Sequence, residues 1–112
     1  MGYRKKANQE IHVVKIRILD DAVQDLIEGF RFYEKLEPGL GTYFTDSLFS
    51  DIDSLSIYGG IHPIYFNGYL RMLSKRFPFA IYYKTVDQEV LVYAVLDCRR
   101  SPAWTRGRLG AE

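Results

Sequence analysis

The residues with the most chemistry to offer in this chain are its C-terminal bases. Arg99 and Arg100 stand side by side, Trp104 follows, and Arg106 and Arg108 lie just beyond it. Arginines grouped around an aromatic ring make a contact surface, because Arg and Trp carry much of the energy wherever a partner binds. The same residues also suit a solvated tail in which Trp104 folds back onto the body. Arg71 and Lys75 add two bases earlier in the chain. The candidate contact residues are therefore Arg71, Lys75, Arg99, Arg100, Trp104 and Arg106, with no catalytic residue among them. No metal site and no cofactor are expected: His12 and His62 belong to different elements, and Cys98 has no cysteine or histidine at ligand spacing. Cys98 ends an apolar stretch, so the pattern predicts small core filler there and not a nucleophile. Gly59-Gly60 lacks the Lys-Ser/Thr of a phosphate loop and reads as a turn that ends a helix. Tyr65, Phe66, Tyr69, Phe77, Phe79, Tyr82, Tyr83 and Tyr93 form a dense aromatic set, which suits either base stacking or an ordinary core.

These residues must be positioned by a chain of 112 residues, 47% of them apolar, which is enough for one domain with a real core. One cysteine excludes an internal disulfide, and no apolar run approaches the roughly 20 residues of a membrane span. A soluble, reducing-compartment protein with no membrane association is expected. The net charge of +1 hides an uneven spread: residues 10–60 carry ten acids against four bases, and residues 61–112 carry eight bases against four acids. That polarity suggests an anionic partner for one face; a solvated basic face with no partner is the alternative. Residues 1–10, with Arg4, Lys5 and Lys6, read as a flexible extension, 11–106 as a single domain and 107–112 as a tail.

From His12 to Leu19, Val14, Ile16 and Ile18 alternate with Lys15 and Arg17, the period of a strand. Asp20 and Asp21 end it and serve as helix N-caps. Ala22, Val23, Leu26, Ile27, Phe30 and Tyr33 then recur on one helical stripe to about Leu36. Pro38-Gly39 stops that helix, and Leu40, Phe44, Leu48, Ile52 and Leu55 mark a second. So short a connection predicts an antiparallel helical hairpin. After Gly59-Gly60, His62-Pro63 and the turn Asn67-Gly68, three strands are expected over Tyr69–Arg76, Phe79–Val86 and Glu89–Leu96, forming an antiparallel meander. The order β-α-α-β-β-β is an α+β fold: a helical hairpin on one face of a small, mainly antiparallel sheet, the other face partly open. Arg71 and Lys75 share one side of their strand and are expected to point outward together. The pattern leaves the pairing partner of the first strand open.

A set of segments carries a family resemblance. They are Asp20-Asp21-Ala22-Val23-Gln24-Asp25-Leu26, Phe32-Tyr33-Glu34, Pro38-Gly39-Leu40-Gly41, Phe44, Tyr58-Gly59-Gly60, Arg76-Phe77-Pro78-Phe79-Ala80-Ile81-Tyr82-Tyr83 and Ala94-Val95-Leu96-Asp97-Cys98-Arg99-Arg100-Ser101-Pro102-Ala103-Trp104. In order and spacing, from Val13 to Trp104, they resemble the RelE/ParE toxin superfamily on its ParE-like side. The resemblance implies the β-α-α-β-β-β core, a bacterial cytoplasmic setting, a type II toxin-antitoxin (plasmid stabilisation) system that inhibits growth, and a small cognate antitoxin, with a heterotetramer as one possible assembly.

Two activities divide that superfamily. RelE-like members cut messenger RNA on the ribosome, which requires a base/acid pair and cations on the phosphate. Their third-strand motif resembles Tyr-Arg-(apolar)-(apolar)-Tyr-Arg, whereas Ala80 takes the first arginine's place here, in Ala80-Ile81-Tyr82-Tyr83-Lys84. Asp97 replaces the histidine frequent at its position in ParE-like members. These departures argue against ribonuclease chemistry. The ParE-like alternative is a non-enzymatic poison that binds DNA gyrase. A ribosome-dependent endoribonuclease, with Asp97 or Tyr83 as base and Arg71 or Arg99 on the phosphate, and an inactive antitoxin-binding relic are the other two possibilities.

Overall fold

The computed structural model describes residues 14–110. The basic extension and His12 lie outside the described residues. Strand β1 (Lys15–Ile18) keeps the expected alternation, with Ile16 and Ile18 half-buried and Lys15 and Arg17 exposed. Helix α1 (Asp20–Leu36) follows. Asp20 and Asp21 do not cap it as expected. Leu19 is the N-cap, without a side-chain hydrogen bond, and the two aspartates sit in the first turn, where their charge complements the helix dipole. The buried stripe is Ala22, Asp25, Leu26, Gly29 and Tyr33, while Val23 and Ile27 are exposed and not part of the core.

Helix α2 (Leu40–Asp53) starts after Gly39, whose φ of 93° lies in the left-handed region. The Glu34 carboxylate accepts from Gly39 N–H at 3.0 Å and Gly41 N–H at 2.9 Å, fixing the hairpin. The helices approach closely at two glycines: a Cβ on Gly41 would lie 2.7 Å from the Phe30 carbonyl oxygen, and one on Gly29 would lie 2.4 Å from the Phe44 ring. A separate turn of helix, α3 (Leu55–Tyr58), follows a break at Ser54, so Leu55 is buried from α3 and not from a continuous second helix.

Strand β2 (Ile64–Phe66) is an addition to the expected order. Asn67 and Gly68, both at positive φ, turn it into β3 (Tyr69–Leu73). Strands β4 (Phe79–Val86) and β5 (Glu89–Asp97) complete a five-stranded sheet in the order β1-β5-β4-β3-β2. All neighbours are antiparallel except β1, which runs parallel to β5 with Lys15 opposite Glu89 and Ile18 opposite Val92. The meander strands thus stand where their periodicity places them, except that β3 stops at Leu73 and not at Arg76, and the first strand's partner is resolved as β5.

A register shift in β4/β5 sets which residues face the helices. Tyr82 pairs Ala94 but Tyr83 pairs Val92, so Tyr93 is extra. Val90, Val92 and Val95 join the helix-side core, with Phe44, Leu48, Ile52 and Tyr83. Tyr93 and Ala94 both fall on the opposite face, with Tyr69, Ala80, Tyr82 and Leu96.

That opposite face is more covered than expected. Residues after Ser101 form helix α4 (Pro102–Leu109), with Pro at its first position and the Ser101 hydroxyl accepting from Trp104 N–H at 3.1 Å. Leu109 is buried in the second cluster and Trp104 packs against it. The C-terminal segment is therefore neither a solvated tail nor a free arm, and the helix runs past residue 106.

Candidate functional site

The site is assembled where β1 stops short. Its last residue pairs with Val92, so the outer edge of β5 beyond that point has no strand beside it. Asp25 of α1 fills the gap by accepting from Val95 N–H at 3.0 Å. Arg108 of α4 then closes on Asp25 with two bonds, Nη1 to Oδ1 and Nη2 to Oδ2, both 2.9 Å. Asp25 is buried and Arg108 half-buried, and the carboxylate raises the arginine's pKa. One bidentate pair thus ties α1, β5 and α4 together.

Trp104 lies beside this pair. The Arg100 guanidinium lies over its ring, 4.2 Å from the centroid, and that of Arg108 lies 5.9 Å away. Together with α1 these residues enclose a cleft of ≈ 350 Å³, walled by Phe32 and Trp104 and floored by Val95 and Leu96.

The six contact candidates fall into separate places. Arg100 and Trp104 are together at the cleft. Arg99 is committed to Asp97, through Nε at 2.9 Å and Nη2 at 2.6 Å, and these bonds hold the Asp97 carboxyl below its ordinary pKa. Arg71 lies on the outer sheet face, 4.6 Å over the Tyr65 ring. Arg106 is exposed, 5.8 Å over Phe66. Lys75 does not join Arg71: β3 ends at Leu73, and Lys75 sits in the following link, its N–H donating to Asp51 Oδ2 at 3.2 Å. Cys98 is exposed and not core filler, because β5 has ended before it; desolvation still pushes its thiol pKa up, which disfavours the thiolate. Among the described residues no group of three His, Cys, Asp or Glu side chains is placed to hold a metal ion, and no helix is long and apolar enough to cross a membrane.

Sequence reasoning missed Asp25, Asp51 and the partner of Tyr83. The signal for the first two was an acid on an apolar stripe: Asp25 falls between Ala22 and Gly29, and Asp51 between Leu48 and Ile52. Asp51 is buried, and Ser74 Oγ donates to it at 2.7 Å. Tyr83 has no exposed surface, and its hydroxyl accepts from Gly60 N–H at 3.1 Å. Burial raises its pKa, so it keeps its proton, and it shares a hydrogen bond with His62 Nδ1 at 2.5 Å. Burial also holds His62 below its ordinary 6.5. A depressed histidine contributes stability that is fully present above 6.5 and lost as pH falls through the folded value. Thermal unfolding should therefore shift to lower temperature as pH drops below about 6.5, with His62→Gln flattening that dependence. Tyr83→Phe should cost roughly 1–2 kcal/mol at neutral pH by leaving Gly60 N–H and His62 without their partner.

No family model matches the chain, and no curated protein matches it by sequence. Its structure, however, superposes on a chain from the chromosomal ParDE TA system of P. aeruginosa with a TM-score of 0.68, over 75% of this chain and 95% of that one, at 17% identity. The chain shares the fold of that ParDE-system chain. Ala80, which stands where an arginine would be needed for phosphate binding, is fully buried in the outer sheet cluster.

Proposed function

We propose that this chain is the toxin of a type II toxin-antitoxin pair, held inactive by a small cognate antitoxin in the bacterial cytoplasm, and that it acts by binding DNA gyrase and not by cutting RNA. The ParE-like fold supports the first part. The observation that carries the second is that the groups an endoribonuclease would use are engaged elsewhere. Tyr83 is sealed in the core between Gly60 and His62, and Asp97 is clasped by Arg99. Neither is free to take a proton from a ribose hydroxyl. A binding inhibitor needs only a contact surface, and Arg71, Lys75, Arg99, Arg100, Trp104 and Arg106 are its candidate members.

Two assays on one preparation test this: supercoiling by gyrase, and cleavage of a message on translating ribosomes. Inhibited supercoiling with an intact message is the expected result. A cleaved message with unaffected gyrase overturns the gyrase assignment, and silence in both assays, with an antitoxin still bound, reduces the chain to an antitoxin-binding relic.

A further inference from the structure

We infer that the cleft between α1 and α4 is an anchor site for a peptide carboxylate lying next to an aromatic side chain. Its walls are Phe32, at 54% exposure, and the half-buried Trp104, whose ring carries the Arg100 guanidinium, over the apolar floor of Val95 and Leu96. At ≈ 350 Å³ it has room for one ring.

The charges around the cleft define the rest of the ligand. Asp25 and Arg108 satisfy each other, and Asp97 is taken by Arg99. Among the described residues Arg100 has no acid at ion-pair distance, and the Trp104 ring holds it at the cleft. A guanidinium held over an indole keeps N–H groups that match a carboxylate. A phosphate would match them too, but Asp25, Glu28 and Asp97 all line the cleft and oppose a dianion more than a single negative charge. A ring between the aromatic walls, with one carboxylate reaching Arg100, is the chemistry that fits. This inference does not depend on gyrase as the target, and the two can fail separately.

Trp104 is the chain's single tryptophan, so its fluorescence reports on the cleft directly. Titrating the full chain with N-acetyl-Phe-Glu-amide should give a saturable change, and N-acetyl-Phe-Gln-amide should bind about tenfold more weakly for want of the charge-assisted bond. Arg100→Gln should erase the difference between the two peptides, and Phe32→Ala should weaken both. Arg100 and Phe32 are exposed, so neither variant threatens folding, and an unchanged circular-dichroism spectrum verifies it. N-acetyl-phenylalanine distinguishes a terminal carboxylate from an internal one, according to which ligand binds more tightly. Equal binding of the Glu and Gln peptides, no saturable response, or tighter binding of adenosine monophosphate than of any peptide overturns the assignment.

Discussion

Replacing Arg108 with leucine should lower the stability of the protein by roughly 3 kcal/mol, because it strands a buried carboxylate. Arg108 itself is partly solvated, with 30% of its side chain exposed, but Asp25 retains only 7%. The loss therefore arises mainly at Asp25, left inside with one backbone N–H in place of that bond and a guanidinium. The pairing can be separated from the packing. Asp25→Asn keeps an oxygen for Val95 N–H and removes the charge, so the double variant Asp25→Asn/Arg108→Leu should recover more than half of the loss. Urea unfolding of the four proteins measures this. If Arg108→Leu alone falls within about 0.5 kcal/mol of the parent, the pair contributes nothing and α4 is held by the packing of Trp104, Thr105 and Leu109.

Gly29→Val should cost a similar amount, roughly 3 kcal/mol, by overpacking. The added Cβ would stand 2.4 Å from Phe44 Cε2 and 2.5 Å from its Cζ. A ring end often swings away from such a contact, but Phe44 has no exposed surface and is wedged between Tyr33, Phe77 and Phe79, with ring centroids 5.1, 5.1 and 4.9 Å away. The clash therefore moves the helix and not the ring. Shortening the ring's side should relieve it: in the Gly29→Val background, Phe44→Leu should cost at least about 1 kcal/mol less than it does alone, a coupling expected of residues in contact. Strict additivity would mean that the two helices do not meet at this point. Gly39 is the control, since a Cβ there meets nothing and Gly39→Ala pays only for its positive φ, about 1 kcal/mol.

What the sequence disclosed followed from how many residues each signal spanned. The two long helices and the strands β3, β4 and β5 each repeat their period several times, and their places were legible. Strand β2 has three residues, too few to display an alternation, and appeared only as the turn signal Asn67-Gly68. Helix α4 carried its start signal in plain view, Ser101-Pro102, but Gly107 and a charged face mask any apolar stripe behind it. In β5 the bulge at Tyr93 shifts the phase partway along, so the strand reads as apolar on both faces and its division between two cores is hidden. Cys98 was misread for a related reason: the strand ends one residue before it. At the site, Arg100 and Trp104 were visible by type, whereas their grouping with Arg108 rests on Asp25, which lies more than eighty positions away and announces itself only as an acid where the helix wants an apolar residue. Lys75 was linked to Arg71 by an alternation that stops at Leu73.

The parallel pairing of β1 has a consequence for how the chain is made. Synthesis delivers β1 before the other described strands, yet among the described residues its one sheet partner is β5, the last strand in sequence. The hairpins β2–β3, β3–β4 and β4–β5 close over a few residues, while β1 must wait for a loop spanning most of the domain. On a ribosome the first strand therefore emerges long before it can be buried, and the helical hairpin behind it is without its sheet for the same interval. During that interval the nascent chain exposes an unpaired strand and the apolar stripes of two helices, the kind of surface that chaperones or a co-translated binding partner would meet before the fold exists.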